Sequence, residues 1–186
     1  MNWPNSLTLM RILSIPVLAV VYYLPYGWSN LAATVIFTLA GLTDLLDGYL
    51  ARRLGQTSAF GAFLDPVADK LMVSCALVML LQSDPQPLLA LAAAIIIGRE
   101  IAVSALREFM AELGLRSRVA VVMAGKIKTV TQMIAIGMML FENDFLGLPI
   151  YTIGHGLLQI AALLTVWSMF VYLRAAWPSI RPGAPH

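Results

Sequence analysis

The sequence has 186 residues, of which 60% are hydrophobic and only 12% are charged. Soluble domains usually contain about 45–50% apolar and about 25% charged residues, so this composition excludes an ordinary water-soluble globular domain and indicates a lipid environment. The single cysteine, Cys75, excludes an internal disulfide framework and a multi-cysteine metal site. The formal net charge is +2, and the positions of the charges are more informative than their sum.

Six apolar segments follow one another along the chain. A membrane-spanning helix needs about 20 mostly apolar residues. The segments that meet or nearly meet this length are 8–25, 29–50, 66–82, 87–110, 124–141 and 149–173. Breaks that contain proline, glycine or acidic residues separate several of them. We therefore predict an all-α, polytopic membrane protein with six transmembrane helices, in which residues 1–186 form a single domain with a flexible tail at 175–186.

The 12 Lys and Arg residues are distributed unevenly. If the N-terminus is inside, the three outer connections lie at about 26–28, 83–86 and 142–148, and none of them contains Lys or Arg. Lys and Arg are enriched in the connections on the cytoplasmic side of membrane proteins. The pattern therefore predicts that both termini and the connections at 51–65 and 107–125 lie in the cytoplasm.

Four carboxylates lie at the facing ends of the second and third helices: Asp44, Asp47, Asp65 and Asp69. At 3.6 residues per turn, the two on the second helix share a face with the small residues Gly48 and Ala51. The two on the third helix are four residues apart and also share a face, which Gly61 extends if the helix begins early. Pro66 fits only a first turn, so we expect the regular helix to start at Asp65.

This group of acids predicts bound metal ions. Four carboxylates that face one another at a membrane surface repel strongly, and hard divalent cations such as Mg²⁺ prefer oxygen ligands. Gly48, Ala51 and Gly61 leave room for a bulky ligand, and Arg52 can neutralise a phosphate. The alternative is a pair of solvated helix ends, which we disfavour because acids in or beside a membrane are costly and usually functional.

The run Asp44-x2-Asp47-Gly48-x2-Ala51-Arg52-x8-Gly61-x3-Asp65-x3-Asp69 resembles the signature of the CDP-alcohol phosphotransferase family at every fixed position. The resemblance implies a six-helix homodimer in the bacterial inner membrane, with two Mg²⁺ or Mn²⁺ ions in an active site that faces the cytoplasm. It also implies that the metal ligands are Asp44, Asp47, Asp65 and Asp69, the last of which is also the general base. The residues that it places around the CDP group are Gly48, Ala51, Arg52 and Gly61.

Two further stretches resemble the members of this family that use glycerol 3-phosphate. The first, at 4–12, implies that Asn5, Thr8 and Arg11 lie near the nucleotide diphosphate. Its alternative is a helix start at the membrane interface, with Asn5 or Ser6 as the N-cap. The second comprises the segments 98–101, 106–109, 113–114 and 125–129.

Five cations accompany the second stretch: Arg99, Arg107, Arg118, Lys126 and Lys128. They lie toward the inner ends of the fourth and fifth helices. The phosphate of glycerol 3-phosphate is a dianion, and arginine can bind phosphate through two parallel hydrogen bonds. We therefore predict an acceptor site here. Ordinary anchoring at the cytoplasmic face is the alternative, notably for Arg116 and Arg118, and Arg99 can instead pair with a neighbouring acid.

The resemblance implies transfer of the phosphatidyl group from CDP-diacylglycerol to sn-glycerol 3-phosphate with release of CMP, and we expect no nucleic-acid partner. We favour direct displacement of CMP by the acceptor hydroxyl. A mechanism with an aspartyl intermediate is the alternative. One alternative is a related enzyme that uses inositol phosphate, serine or phosphatidylglycerol as the acceptor. Another is a cation transporter, which we disfavour because the acids lie at one helix end rather than near the midplane.

Overall fold

The chain folds into α-helices. The computed structural model describes residues 3–54, 59–114 and 123–180. The helices in these ranges are α1 (Trp3–Tyr22), α2 (Ser29–Leu54), α3 (Ala59–Ser83), α4 (Pro87–Glu112), α5 (Met123–Phe141) and α6 (Ile150–Ile180). Within the described ranges, β pairing is limited to one isolated bridge between Phe145 and Leu148. The predicted all-α class is therefore confirmed.

The third helix begins earlier than the sequence suggests. α3 starts at Ala59, so Pro66 lies inside the helix and the expected start at Asp65 is wrong. A proline in a helix interior removes one backbone hydrogen bond and costs about 3 kcal/mol. Tertiary contacts in the turn before the proline offset this cost, because Gly61 is buried and Asp65 accepts a hydrogen bond from α1.

Two other boundaries differ from the expected ones. α2 ends at Leu54 and α3 begins at Ala59, so the connection between them is far shorter than the predicted 51–65. Leucine, alanine and arginine at the end of α2 are good helix formers, which explains why the helix continues. α6 extends to Ile180 and includes the first part of the tail predicted at 175–186. The rest of that tail lies outside the described residues.

The helices form a bundle around a main apolar core. α1 packs against α2 and α3, α5 packs against α6 and α2, and α4 packs against α6 and α3. Fully buried side chains in the core include Leu18, Phe37, Leu77, Leu89 and Ile136. α5 and α6 are in close contact at Gly154, where an added Cβ would lie 2.9 Å from the carbonyl oxygen of Ala135. Small residues permit such close backbone contact between helices.

The two ends of the bundle differ in the side chains that they hold. At one end, the Tyr151 hydroxyl donates to Asp84 across 2.6 Å, and the Tyr22 hydroxyl donates to Ser83 across 2.9 Å. These bonds join the ends of α1, α3 and α6, and we call this the distal end. The other end holds the C-terminal half of α2 and the N-terminal half of α3, which carry the signature aspartates. We call it the carboxylate end.

Large apolar side chains cover the outside of the bundle. Ile101, Leu163 and Phe170 are 64%, 71% and 63% exposed, respectively. Soluble monomers rarely expose large contiguous apolar surfaces. Within the described part of the chain, two helices are long and apolar enough to cross a membrane, Pro87–Glu112 and Ile150–Trp177. These features fit a protein that is solvated by lipid.

Candidate active site

Helix α1 supplies hydrogen-bond donors to the signature aspartates. The Thr8 hydroxyl donates to Oδ1 of Asp65 on α3 across 2.6 Å. Nη1 of Arg11 donates to Oδ1 of Asp44 on α2 across 2.5 Å. Thr8 and Arg11 are three residues apart and therefore lie on the same face of α1, and both are buried. The structure thus brings Thr8 and Arg11, two of the three candidate residues of the N-terminal stretch, to the signature acids.

Asp69 interacts with both groups of charges. It lines the same cavity as Asp44, and its carboxylate is within electrostatic range of Asp44 and Arg11 and also of Glu100 and Lys128. It is half-buried. A carboxylate in this place can interact both with a group held by the signature acids and with a group held by the second cluster.

The second group is a buried ion cluster formed by α4, α5 and α6. Nη1 of Arg99 donates to Oε1 of Glu100 across 3.1 Å, and Nη2 of Arg99 donates to Oγ of Ser168 on α6 across 2.9 Å. Nζ of Lys128 on α5 donates to the same Oε1 of Glu100. Arg99 therefore pairs with a neighbouring acid, the alternative that the sequence leaves open. One carboxylate serves two cations, so the cluster keeps an excess of positive charge.

Tyr172 joins a third cation to this cluster. Its hydroxyl accepts a hydrogen bond from Nη2 of Arg107 across 2.9 Å. The guanidinium carbons of Arg107 and Arg99 lie 5.2 Å and 5.5 Å from the centroid of its ring. Nε of Arg99 and Nε of Arg107 are buried and have no hydrogen-bond partner among the described residues. Unused guanidinium donors on two arginines that contact the same ring suit a phosphate, which has several acceptor oxygens.

Several candidate residues have no described surroundings. Asn5, Asp47, Gly48, Ala51, Arg52 and Lys126 lie in helical segments whose side chains are outside the described part of the structure, and Arg118 lies outside the described residues altogether. Among the side chains that are described, no three His, Cys, Asp or Glu residues lie together closely enough to hold a metal ion. Asp44, Asp65 and Asp69 nevertheless provide the oxygen donors that Mg²⁺ and Mn²⁺ prefer.

Three members of the ion cluster were not among the predicted site residues: Glu100, Ser168 and Tyr172. Ser168 and Tyr172 are four residues apart and therefore share a face of α6. Polar side chains that share one face of an otherwise apolar helix are the sequence signal that identifies them, because such residues in a membrane helix usually face the interior of the bundle. Glu100 follows Arg99 directly, and its position in an apolar segment is a signal of the same kind.

A cavity of about 550 Å³ lies between α2 and α5. Its walls are mostly apolar, and Asp44 and Asp69 line it at the carboxylate end. Phe141, Phe145 and Ile150 line it toward the distal end. The cavity therefore connects the acidic site with an apolar groove that runs along the bundle, an arrangement that can accommodate a molecule with a polar head and an apolar tail.

Comparison with known proteins identifies the family of this chain. The model of the CDP-alcohol phosphatidyltransferase family matches residues 1–171. A Pseudomonas fluorescens protein named CDP-diacylglycerol–glycerol-3-phosphate 3-phosphatidyltransferase is 52% identical, over 97% of this chain and 93% of its own length. Proteins of the same name from Sodalis glossinidius (strain morsitans) and Salmonella choleraesuis (strain SC-B67) are 50% and 48% identical, over 95% and 94% of this chain and the same shares of their own lengths. The chain belongs to the CDP-alcohol phosphatidyltransferase family.

Proposed function

We propose that this protein transfers the phosphatidyl group of CDP-diacylglycerol to sn-glycerol 3-phosphate, giving phosphatidylglycerophosphate and CMP. The three relatives described above are named for this reaction. The structural observation that carries the proposal is that Asp69 lines the same cavity as Asp44 and is within electrostatic range of Glu100 and Lys128 in the buried cluster. A donor diphosphate at the acids and an acceptor phosphate at the cations would meet beside this carboxylate.

The signature acids form the donor side of the site. Asp44, Asp47, Asp65 and Asp69 would hold two divalent cations, Mg²⁺ or Mn²⁺, which supply positive charge to the diphosphate and to the departing CMP. Thr8 fixes the orientation of Asp65 through its hydrogen bond. Gly48, Ala51, Arg52 and Gly61 would surround the CDP group, together with Asn5.

Arg11 adds a fixed positive charge to the donor side. It is buried and bound to Asp44, so its guanidinium is held in place before the substrate arrives. A guanidinium can donate to a carboxylate and to a phosphate at the same time because it has five N–H groups. We therefore assign to Arg11 a contact with the diphosphate of CDP-diacylglycerol.

The buried cluster forms the acceptor side. Arg99, Arg107 and Lys128 bring three positive charges to one region, and Glu100 neutralises only part of that charge. The buried Nε donors of the two arginines would bind the phosphate of glycerol 3-phosphate. We also assign Arg118 and Lys126 to this acceptor side.

Asp69 acts as the general base in this proposal. It accepts the proton of the primary hydroxyl of glycerol 3-phosphate, and the hydroxyl oxygen attacks the β-phosphorus in line with the bond to CMP. A new P–O bond forms to the glycerol oxygen as the P–O bond to CMP breaks, and CMP leaves with the bonding electron pair. General-base catalysis of this kind contributes about 10²–10⁴-fold.

The groove between α2 and α5 would hold an acyl chain of the donor lipid. Its walls are mostly apolar, and Asp44 and Asp69 line its carboxylate end. A lipid whose diphosphate lies at the acids could therefore place a tail in the groove. The head group would react in a polar site while the tail stays in an apolar environment.

The charges and the apolar surface support a specific membrane placement. All three connections at the distal end, residues 23–28, 84–86 and 142–149, lack Lys and Arg, which favours the distal end outside and both termini in the cytoplasm. We therefore propose six transmembrane helices in the bacterial inner membrane, with the active site at the cytoplasmic face. We further propose that residues 1–186 form one domain and that two copies form a homodimer.

A panel of acceptor molecules tests the proposed reaction directly. Purified protein is incubated with CDP-diacylglycerol and Mg²⁺, and CMP release is measured with glycerol 3-phosphate, inositol phosphate, serine or phosphatidylglycerol as the acceptor. We expect CMP release to depend on glycerol 3-phosphate. The control is Asp69→Asn protein, which should release little CMP with any acceptor. Release that depends on serine or phosphatidylglycerol instead would contradict the proposal, because neither needs a buried cluster that binds a phosphate dianion.

A further inference from the structure

Tyr172 lies where α6 meets α4 at the carboxylate end. It is 2% exposed and packs in a small apolar cluster with Val103, Met110 and Ala176. Its hydroxyl and its ring both face the cations of α4. A buried tyrosine usually finds a hydrogen-bond partner for its hydroxyl, and here that partner is Arg107.

The two guanidinium groups near Tyr172 carry like charges. Arg99 and Arg107 are eight residues apart on α4, and their guanidinium carbons both lie within 5.5 Å of the ring centroid. The face of an aromatic ring carries partial negative charge and attracts cations, more strongly where water is excluded. The ring therefore stabilises two positive groups in one place without a second carboxylate, which would cancel the charge that a phosphate needs.

The hydrogen bonds that fix Arg99 and Arg107 do not use all of their N–H groups. Ser168 accepts from Nη2 of Arg99 and donates to the backbone carbonyl of Thr165, so its hydroxyl is fixed at both ends. Tyr172 accepts from Nη2 of Arg107. The Nε atoms of both arginines are buried and lack a hydrogen-bond partner among the described side chains and backbone. A buried donor without a partner is costly, and a bound anion would remove that cost.

We infer that Tyr172 is a positioning residue for the acceptor: it holds the guanidinium groups of Arg99 and Arg107 together so that their unused N–H groups bind the phosphate of glycerol 3-phosphate. This inference rests on the proposed function. Tyr172 itself does not take part in the chemical step. Its removal should weaken binding of the acceptor and leave the donor lipid and the turnover rate at saturation largely unaffected.

Two substitutions separate the hydroxyl from the ring. Tyr172→Phe removes only the hydroxyl, so we expect the KM for glycerol 3-phosphate to rise about 2- to 12-fold, the usual effect of one hydrogen bond. Tyr172→Leu also removes the ring, and the rise should reach at least about 10-fold. In both variants, the KM for CDP-diacylglycerol and kcat should stay near those of the wild type. Tyr151→Phe is the matched control, because it removes a tyrosine hydroxyl that bonds to Asp84 at the distal end.

A role in packing alone makes a different prediction. Phenylalanine fills the same volume among Val103, Met110 and Ala176, so a packing role predicts a wild-type acceptor KM for Tyr172→Phe. If Tyr172→Leu loses thermal stability while Tyr172→Phe keeps both its stability and its wild-type KM values, the inference is overturned. Thermal unfolding of each purified variant in the same detergent supplies the stability measurement.

A double-mutant cycle tests whether Tyr172 acts through Arg107. We expect the acceptor KM of Arg107→Ala/Tyr172→Phe to be close to that of Arg107→Ala alone, because the hydrogen bond between the two residues is already absent in Arg107→Ala. Effects that multiply independently would contradict this. The cycle also separates the two proposals. If Arg107→Ala leaves the acceptor KM unchanged, the acceptor site itself is wrong. If Arg107→Ala raises it and neither Tyr172 variant does, only the inference about Tyr172 fails.

Discussion

Arg11 on α1 and Asp44 on α2 form a buried ion pair in which Nη1 lies 2.5 Å from Oδ1. The Arg11 side chain is 2% exposed, whereas that of Asp44 is 38% exposed. The buried arginine is therefore held in place by a carboxylate that remains open to the site. This pairing ties the first helix to the signature and places a positive charge where the donor diphosphate would bind.

Loss of the Arg11 charge should weaken donor binding. We expect Arg11→Gln to raise the KM for CDP-diacylglycerol by about 10- to 150-fold, because a hydrogen bond to a charged group contributes about 1.5–3 kcal/mol. The KM for glycerol 3-phosphate should change little. Arg174→Gln is the control, since Arg174 is an exposed arginine on α6. A donor KM that is the same in wild type and Arg11→Gln would show that Arg11 only pairs with Asp44.

Activity should depend on divalent cations. The four signature acids need positive charge beside them, and Arg11 is the cation that the described structure places in contact with Asp44. Excess chelator should abolish CMP release, and added Mg²⁺ or Mn²⁺ should restore it, whereas Na⁺ at matched ionic strength should not. Undiminished turnover in excess chelator would rule out the metal site.

Asp69 should serve the chemical step. Asp69→Asn keeps the shape of the side chain but removes its ability to accept a proton, so kcat should fall by at least about 10²-fold, and any loss of metal coordination would add to this. Asp84→Asn is the matched control at the distal end, where Asp84 accepts a hydrogen bond from Tyr151. The measurement is kcat at saturating concentrations of both substrates. A general base at Asp69 is contradicted if Asp69→Asn retains a wild-type kcat.

Variants of Lys128 and Glu100 can distinguish the effect of Lys128 on acceptor binding from its effect on the thermal stability of the protein. Lys128 is 1% exposed, and removal of one partner from a buried ion pair typically costs about 3–5 kcal/mol. Lys128→Met should therefore lower the thermal stability and raise the KM for glycerol 3-phosphate. Adding Glu100→Gln should lower the stability further, because it leaves the buried Arg99 without its carboxylate partner, and it should not recover the acceptor KM.

Thermal unfolding and acceptor KM are measured on the wild type, both single variants and the double variant. A Lys128→Met variant that loses stability but keeps the wild-type acceptor KM would show that Lys128 has no part in acceptor binding. The cation would then act only as the counter-ion of Glu100.

The membrane orientation can be tested with single cysteines in a Cys75→Ala background. Thr57→Cys lies in the connection between α2 and α3, and Asn143→Cys lies in the exposed connection after α5. An impermeant thiol reagent added to intact cells should label Asn143→Cys but not Thr57→Cys. Lysed cells should allow both to be labelled. The reverse pattern in intact cells would place the active site outside and overturn the topology.

Local sequence patterns predicted the helices and part of the site. Long apolar segments predicted the positions of all six helices to within several residues, apart from the start of α3 and the end of α6. The preference of Pro66 for the first turn of a helix predicted that α3 starts at Asp65. The tertiary contacts of Gly61 and Asp65 outweigh that preference. The resemblance of the N-terminal stretch indicated Thr8 and Arg11, which the structure finds bonded to two of the signature aspartates.

The sequence by itself determined the helical class, the grouping of the acids at one end of the bundle and the uneven distribution of the cations, because each follows from spacing along a single helix or from charge order along the chain. Only the tertiary structure decided which helices face one another. The contacts of Arg99 with Ser168 and of Arg107 with Tyr172 join residues that are 69 and 65 positions apart. No local period encodes such a pairing, since it depends on how α4 and α6 pack. Tertiary packing also brings Lys128 on α5 to Glu100 on α4, which pairs with Arg99 as well.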